Sequence, residues 1–400
     1  MSRLQPRSRL VFAAGLTVLG LAGSAAHAGT FSTAEIGYDN ALLSNFNLVT
    51  LGNLTQGTTA TSTAIGGRAI VGGNATFTGA PTICTGSCTG NVAKPIDGSG
   101  GLAGALTVFG NLVTPGSNSS FNNLSVGSGD VSVQGTSSGN LLMNTTSGGT
   151  GSFEIKGSAQ GTTNIGNASS IKTTQSSFAG SAYTYNASTG AVASSSQKPL
   201  VNQTLASVFP FSNAYQTNAK RLASGLAALP GSPGVTAQKL TVGSGIFFTA
   251  ANDYFVGGKR YGVVTTTVAD LAAEQNFKGI DNGTNEATFV IVTGDGANYT
   301  LPNLNSYAGA NRVIFDFVDA TTLKFGGNWS GSILAPLANI TSMGGTIDGS
   351  VIVNSINQTQ ALLANNLFTG DLYGLVPEPA SLALFGAGLV ALGIARRRRR

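Results

Sequence analysis

The apolar residues between Gly29 and Leu375 come in short alternating groups closed by Gly and Asn, and this punctuation restricts the fold more than any other feature. Leu106–Val108, Phe153–Ile155 and Val313–Phe317 are strand-length pieces with apolar residues at every second position. Alternation of that period places one side of a strand in a core and leaves the other for a second environment. The body is rich in Ser, Thr, Asn, Ala and Gly but carries little net charge, so its composition differs from that of a disordered chain. An all-β fold follows.

The spacing of the turns narrows the architecture. An apolar residue precedes a Gly-Asn pair in LVTLGNLT, AIVGGNAT, LTVFGNLV, TTNIGNAS and LKFGGNWS, with glycines at 52, 73, 110, 166 and 327. The first three intervals are 21, 37 and 56 residues, which read as one, two and three units of about 19. GSILA at Gly331 and GSVIV at Gly349 stand 18 residues apart. Stacked strand-turn rungs of that length predict a parallel β-helix or β-solenoid, with a β-sandwich as the alternative. Between about Val201 and Leu229 the period changes. Phe211, Tyr215, Leu222, Leu226 and Leu229 fall at helical intervals, and Pro230-Gly231 stops the pattern, so an inserted α-helix is expected there. The Ser/Gly/Thr-rich stretch from Gly127 to Gln197 reads as polar surface rungs or a partly mobile loop.

The two ends have a different character. Residues 1–28 read as a secretory signal peptide. Arg3, Arg7 and Arg9 precede an apolar stretch from Leu10 to Ala22, and Ala26 and Ala28 flank His27 at a cleavage site before Gly29. At the other end, residues 376–400 combine Pro377-Glu378-Pro379, an uncharged stretch from Ala380 to Ala395, and five arginines. As a helix that stretch reaches about 24 Å, short of the ~30 Å hydrocarbon core, so crossing needs thinning or snorkelling arginines. The arginines resist translocation. This tripartite tail resembles the PEP-CTERM sorting signal of Gram-negative bacteria. The resemblance implies recognition by an exosortase, transient anchoring through a short transmembrane helix, and a host that makes exopolysaccharide.

Setting both ends aside leaves residues 29–375 as one domain, with 13 basic and 15 acidic residues and a net charge of −2. The alkaline character of the full chain belongs to its ends, so nucleic acid is not an expected partner. The only histidine, His27, goes with the leader. Ser-His-Asp and Cys-His catalysis and histidine-ligated metals are thereby excluded from the body. Cys84 and Cys88, in CTGSC, are the only cysteines and are expected to form a small disulfide loop in an oxidising exterior.

The body also resembles choice-of-anchor A domains. The similarity rests on GGRAIVGGNATF (66–77), AKRLASGLAALP, the block from Arg312 to Ile356, and LFTGDL. GSILAP and GSVIV are similar to elements of ice-binding β-helix proteins. The resemblance implies a solenoid displayed on interchangeable anchors and supplies no catalytic residue.

The remaining chemistry is sparse. Asp316 and Asp319, three apart on a strand, face opposite sides and read as solvated or turn-capping rather than as a glycosidase pair. Asp295 in TGDG and Asp348 in TIDG read as turn residues bonding their own backbone. Trp329 reads as buried packing. Thr58-Thr59 and Thr265–Thr267 are clustered in sequence and not at rung spacing, which argues against an ice-binding array. No catalytic residue, metal or cofactor is expected. The reading is an exported structural or adhesive protein of the cell surface or matrix. Signal peptidase and exosortase are its processing partners, and exopolysaccharide or other matrix is its environment. A carbohydrate-active β-helix enzyme and an ice-binding-like module are the alternatives.

Overall fold

The computed structural model describes residues 33–372 and 375, except 58–63, 85–87, 89–91, 94–101, 115–123, 144, 146–150, 161, 167–170, 174–180, 187–190, 197–212, 233, 241–247, 251–253, 257, 275 and 276. The leader, with Ala26, Ala28 and Gly29, and the tail, with Pro377, Glu378 and Pro379, lie outside the described residues. Among the described residues no helix is long and apolar enough to cross a membrane.

The chain forms a parallel β-solenoid with three faces. Its first rung runs through Phe46–Thr50 on one face, Leu54–Gln56 on the second and Ala64–Ile65 on the third. Arg68–Val71, Ala75–Phe77 and Thr82–Ile83 repeat the circuit directly beside it. Further rungs follow outward through Leu106–Val108, Val131–Val133, Phe153–Ile155 and Ile171–Thr173. The chain then changes ends. Residues 238–363 build the remaining rungs inward, from Lys259–Thr267 through Ala287–Thr293, Val313–Phe317 and Ser332–Met343 to Val351–Gln358. That last strand pairs in parallel with the first, Leu48 opposite Val351 and Leu54 opposite Ile356. One continuous solenoid is thus made from two segments that meet in its middle.

The first face is buried on both sides. Inward residues such as Leu48, Phe315, Phe317 and Val351 fill the solenoid interior. Outward residues Val49, Ile70, Phe289, Ile291, Ile314, Leu334 and Ile352 form a second apolar layer. Two helices cover it, α1 (Thr33–Asn45) and α2 (Ala214–Ala227), with Phe368, Leu372 and Leu375 beside them. Alternation alone suggests a half-buried strand, yet Phe46–Thr50 and Val313–Phe317 are buried at every position, as in covered parallel sheets. In α2, Tyr215, Ala219, Leu222, Ala223 and Leu226 face inward. Arg221 Nη2 donates to the buried Asp39 Oδ2 of α1 at 2.6 Å, tying the two helices together.

The corners explain the glycine and asparagine pattern. Asn74 N donates to Asn53 Oδ1, Asn111 N to Asn74 Oδ1 and Thr136 N to Asn111 Oδ1, each at 2.8 Å. Each side chain thus satisfies a backbone donor of the next rung at the corner between the first and second faces. At the corner before the first face, Gly349 has φ +151°, and a Cβ there would sit 2.6 Å from Gly331 O. Only glycine fits that corner.

The 18-residue step from Gly331 to Gly349 is one rung, with Ile333 opposite Val351. The 37-residue step from Gly73 to Gly110 is also one rung, not the two that its length suggests. The extra length is an excursion after Ile83. It contains the Cys84–Cys88 disulfide, with Cα atoms 5.2 Å apart, and the antiparallel strands Val92–Ala93 and Leu102–Ala103. Gly166 lies in a third-face strand, and Gly327 lies at a different corner from Gly52, just before the third-face strand Trp329–Ser330.

Asn47 marks the meeting point of the two halves. Its Nδ2 donates to Gly349 O at 2.6 Å and to Leu363 O at 2.8 Å, while Oδ1 accepts from Gly67 N at 3.4 Å. Asn47→Leu strands buried backbone groups on both segments and is expected to cost about 2–4 kcal/mol. A fall in thermal midpoint, with the circular dichroism of the remaining fold preserved, would register it.

Candidate functional site

The helices cover the first face and leave the second face open. Its strands alternate: in Leu54–Gln56, Leu54 and Gln56 are buried and Thr55 is exposed. The exposed position continues in register along the solenoid. Thr55 stands opposite Asn357 on one side and Thr76 on the other, Thr76 opposite Val113, and Val113 opposite Ser138. Beyond Asn357 the face carries exposed Thr341 and Ser342, then Lys324 across a local register shift. A second row joins Thr322, Asn339 and Ser355, where Ser355 Oγ and Asn354 Nδ2 donate to Asn339 Oδ1 at 2.6 and 2.8 Å. Lys324 is the one cation in these rows, and its Nζ donates to Ala297 O.

Neighbouring strands are about 4.8 Å apart, so this face offers hydroxyl and amide groups at near-regular intervals on a rigid support. It is flat, nearly uncharged and rich in groups that both donate and accept. The threonine arrangement differs from the sequence expectation. Thr55 and Thr76 stack at rung spacing, whereas the residues of the Thr265–Thr267 cluster serve separate roles. Thr266 is buried, Thr267 Oγ1 accepts from Asp270 N to cap the helix Val268–Ala273, and Thr58-Thr59 lie outside the described residues. Only the folded register brings Thr55 and Thr76 together, 21 residues apart in sequence.

The carboxylates do not converge. Asp319 Oδ1 accepts from Gly294 N at 2.7 Å as a turn cap. Asp295 accepts from Thr321 and Thr322, whose hydrogen bonds hold its carboxyl below the usual range, the Thr321 hydroxyl contributing most. Asp348 accepts from Asn365 N and Asn366 N. Both thus cap a neighbouring rung rather than their own turn. Trp329 is buried, with its ring edge-on to Phe315 at 4.8 Å and Phe325 at 5.2 Å.

Asp316 departs from the expected solvated state. It is fully buried on the outward side of the helix-covered face, between Ile291 and Leu334, with neither carboxylate oxygen hydrogen-bonded. Desolvation pushes its carboxyl well above the usual range. The folded state therefore keeps a proton that the unfolded chain releases at about pH 3.9. Stability accordingly falls as pH rises from about 4, by up to about 1.4 kcal/mol per pH unit until the folded carboxyl ionises. Asp316→Asn removes that slope, so its advantage in thermal midpoint over the native chain should widen between pH 4 and pH 8.

Residues 39–362 match the family of ice-binding-like adhesive domains, and residues 375–400 match the PEP-CTERM protein-sorting motif. The motif marks exported proteins of Gram-negative bacteria and implies processing by an exosortase. No curated protein and no solved structure matches the chain. With the matched segment covering most of its length, the chain belongs to the ice-binding-like adhesive domain family and carries a PEP-CTERM sorting motif at its C-terminal end.

Proposed function

We propose that this exported adhesive protein works without catalysis, as a surface-displayed scaffold whose open second face holds exopolysaccharide or related matrix in a biofilm. The carrying observation is the contrast between the helix-covered first face and the open second face, whose in-register row is Asn357, Thr55, Thr76, Val113 and Ser138. A hydroxyl-rich polymer laid across the rungs meets a repeating set of donors and acceptors. Each contact is weak, and repetition along the polymer supplies the avidity.

The course of the chain at Asp371 and Leu372 supports this reading. Leu372 N donates to Asn40 Oδ1 at 3.3 Å, and Tyr261 Oη donates to Asp371 O at 2.9 Å, so the chain approaches the sorting motif along the helix-covered side. An anchor attached there leaves the open face unobstructed. The resemblance to choice-of-anchor A domains fits the same division between a display body and an exchangeable anchor. Proteolytic removal of the tail at Pro377-Glu378-Pro379 would then decide between transient anchoring and release into the matrix.

Against a carbohydrate-cleaving role stands the dispersal of Asp295, Asp316, Asp319 and Asp348 to rung caps and the covered layer. Ice recognition has the Thr55–Thr76 pair in its favour, but Asn357, Val113 and Lys324 interrupt the row.

The test is a charged ladder variant, Thr55→Asp with Thr76→Asp. Both positions project from the open face, and two like charges directly opposite each other cost up to about 1 kcal/mol, so the thermal midpoint should fall by a few degrees with the circular dichroism of the fold preserved. Retention of cells in their own polysaccharide matrix should drop several-fold. Wild-type retention by the variant, or a deletion strain with unchanged biofilm and the native protein free in the medium, would refute the reading.

A further inference from the structure

A second cluster lies away from the open face, at the end of the solenoid built by the C-terminal segment. Tyr254–Val256 pairs antiparallel with the start of Lys259–Thr267, Phe255 opposite Arg260 and Val256 opposite Lys259. Gly258, just before Lys259 in this hairpin, takes φ +77°, as a tight hairpin turn favours. Lys259–Thr267 then runs parallel to Ala287–Thr293 with Tyr261 opposite Ala287, which sets Arg260 beside Glu286. Glu286 N donates to Arg260 O at 2.8 Å, confirming that register.

Phe255 and Arg260 on adjacent strands, and Glu286 just before the third strand, therefore lie side by side at about 4.8 Å spacing, each one position from the buried Tyr254, Tyr261 and Ala287. Tyr254 and Tyr261 project from the other side and are buried, their rings 6.3 Å apart. The hydrophobic demand of the hairpin is met on that side, yet Phe255 remains 67% exposed. A concavity of about 360 Å³ lined by Gly258, Lys259, Arg260, Thr284 and Glu286 opens at this hairpin, and Phe255 is the cross-strand partner of its Arg260. That volume lies at the small end of the range for small-molecule clefts, ~300–1,000 Å³.

We infer that Phe255, Arg260, Thr284 and Glu286 form a binding subsite for a single uncharged sugar ring of a glycan. A pyranose has an apolar face of C–H groups and a rim of hydroxyls. An exposed aromatic ring suits the first, and a guanidinium beside a carboxylate suits the second, since vicinal hydroxyls can accept from Arg260 and donate to Glu286. Charge selects against acidic sugars. Lys259 is paired with Asp371, and Glu286 stands within its field, so the two cations of the site are matched by two carboxylates. A uronate would meet no net positive field. The subsite differs in kind from the open face, which suits an extended polymer, and it rests on the reading of this chain as a matrix adhesin.

The test uses the full-length chain in affinity electrophoresis through gels containing dextran, galactomannan or alginate, with sedimentation to follow oligomeric state. The native protein should be retarded by at least one neutral glycan and more weakly by alginate. Phe255→Ala, Arg260→Ala and Glu286→Gln should each weaken that retardation at least tenfold, and Phe255→Trp should preserve it. Phe255 and Arg260 are exposed, so unchanged thermal midpoints would separate lost binding from lost folding.

Neutral-glycan retardation that survives Phe255→Ala and Arg260→Ala but is lost in the Thr55→Asp, Thr76→Asp variant overturns the subsite and leaves the adhesin reading standing. Retardation that survives the ladder variant and disappears with Phe255→Ala supports the subsite even if cells lacking the protein adhere normally. Retardation by alginate alone, by no glycan, or a loss confined to self-association in Phe255→Ala overturns the subsite.

Discussion

Everything in this molecule depends on the parallel pairing of Phe46–Thr50 with Val351–Val353. It joins strands about 300 residues apart in sequence and turns two incomplete stacks into one solenoid. Asn47 adds side-chain bonds to Gly349 and Leu363, and Ser350 Oγ donates to Leu43 O at the end of α1. Because a rung contacts mainly its neighbours, most solenoids can propagate from any point. Here the central contact forms only after the chain has completed both halves, so loop closure must precede the contacts that reward it. The helices share that dependence. The surface covered by α1 and α2 includes Val49 and Ile70 from one half and Leu334 and Ile352 from the other, so it is complete only once the halves have met.

The β-solenoid was legible in the sequence because its corners have strict chemical needs. Gly331 and Gly349 occupy backbone conformations that other residues rarely adopt, and Asn53, Asn74 and Asn111 satisfy donors on adjacent rungs. These demands recur at successive rungs and leave a mark that does not depend on which apolar residues fill the strands. Rung counting failed where an excursion entered, as between Gly73 and Gly110, because an interval alone does not distinguish an added rung from an enlarged one. The α2 segment was legible for a comparable reason, since its buried residues recur at helical spacing. The sequence TAEIGYDNALLSN of α1 has no comparable pattern, and its helix is held by what it packs against: Ile36, Leu42 and Leu43 on the shared layer and Asp39 on Arg221.

The candidate site was harder to read, because its residues are defined by register and by what remains uncovered. Thr55 and Thr76 are unremarkable in their own segments and become a row only through the pairing of Leu54–Gln56 with Ala75–Phe77. Asp316 shows the converse. The alternation in VIFDF correctly separates Phe315 and Phe317 from Ile314 and Asp316, but it does not reveal that a helix layer from elsewhere in the chain will cover the second set. Period-two patterning identifies the two sides of a strand. It leaves open whether the second side meets water or another layer.

That distinction bears directly on display. A solenoid with two open sides would expose apolar ladders such as Ile291–Asp316–Leu334–Ile352–Val49–Ile70, and those would invite nonspecific association. Covering them with α1, α2 and the segment around Phe368–Leu372 leaves the open rows mainly polar, with Val113 the apolar exception. The same cover receives the chain on its way to the sorting motif. Under the proposed function, attachment and adhesion fall on different sides of the solenoid, and exchange of the anchor leaves the spacing of the open rows undisturbed.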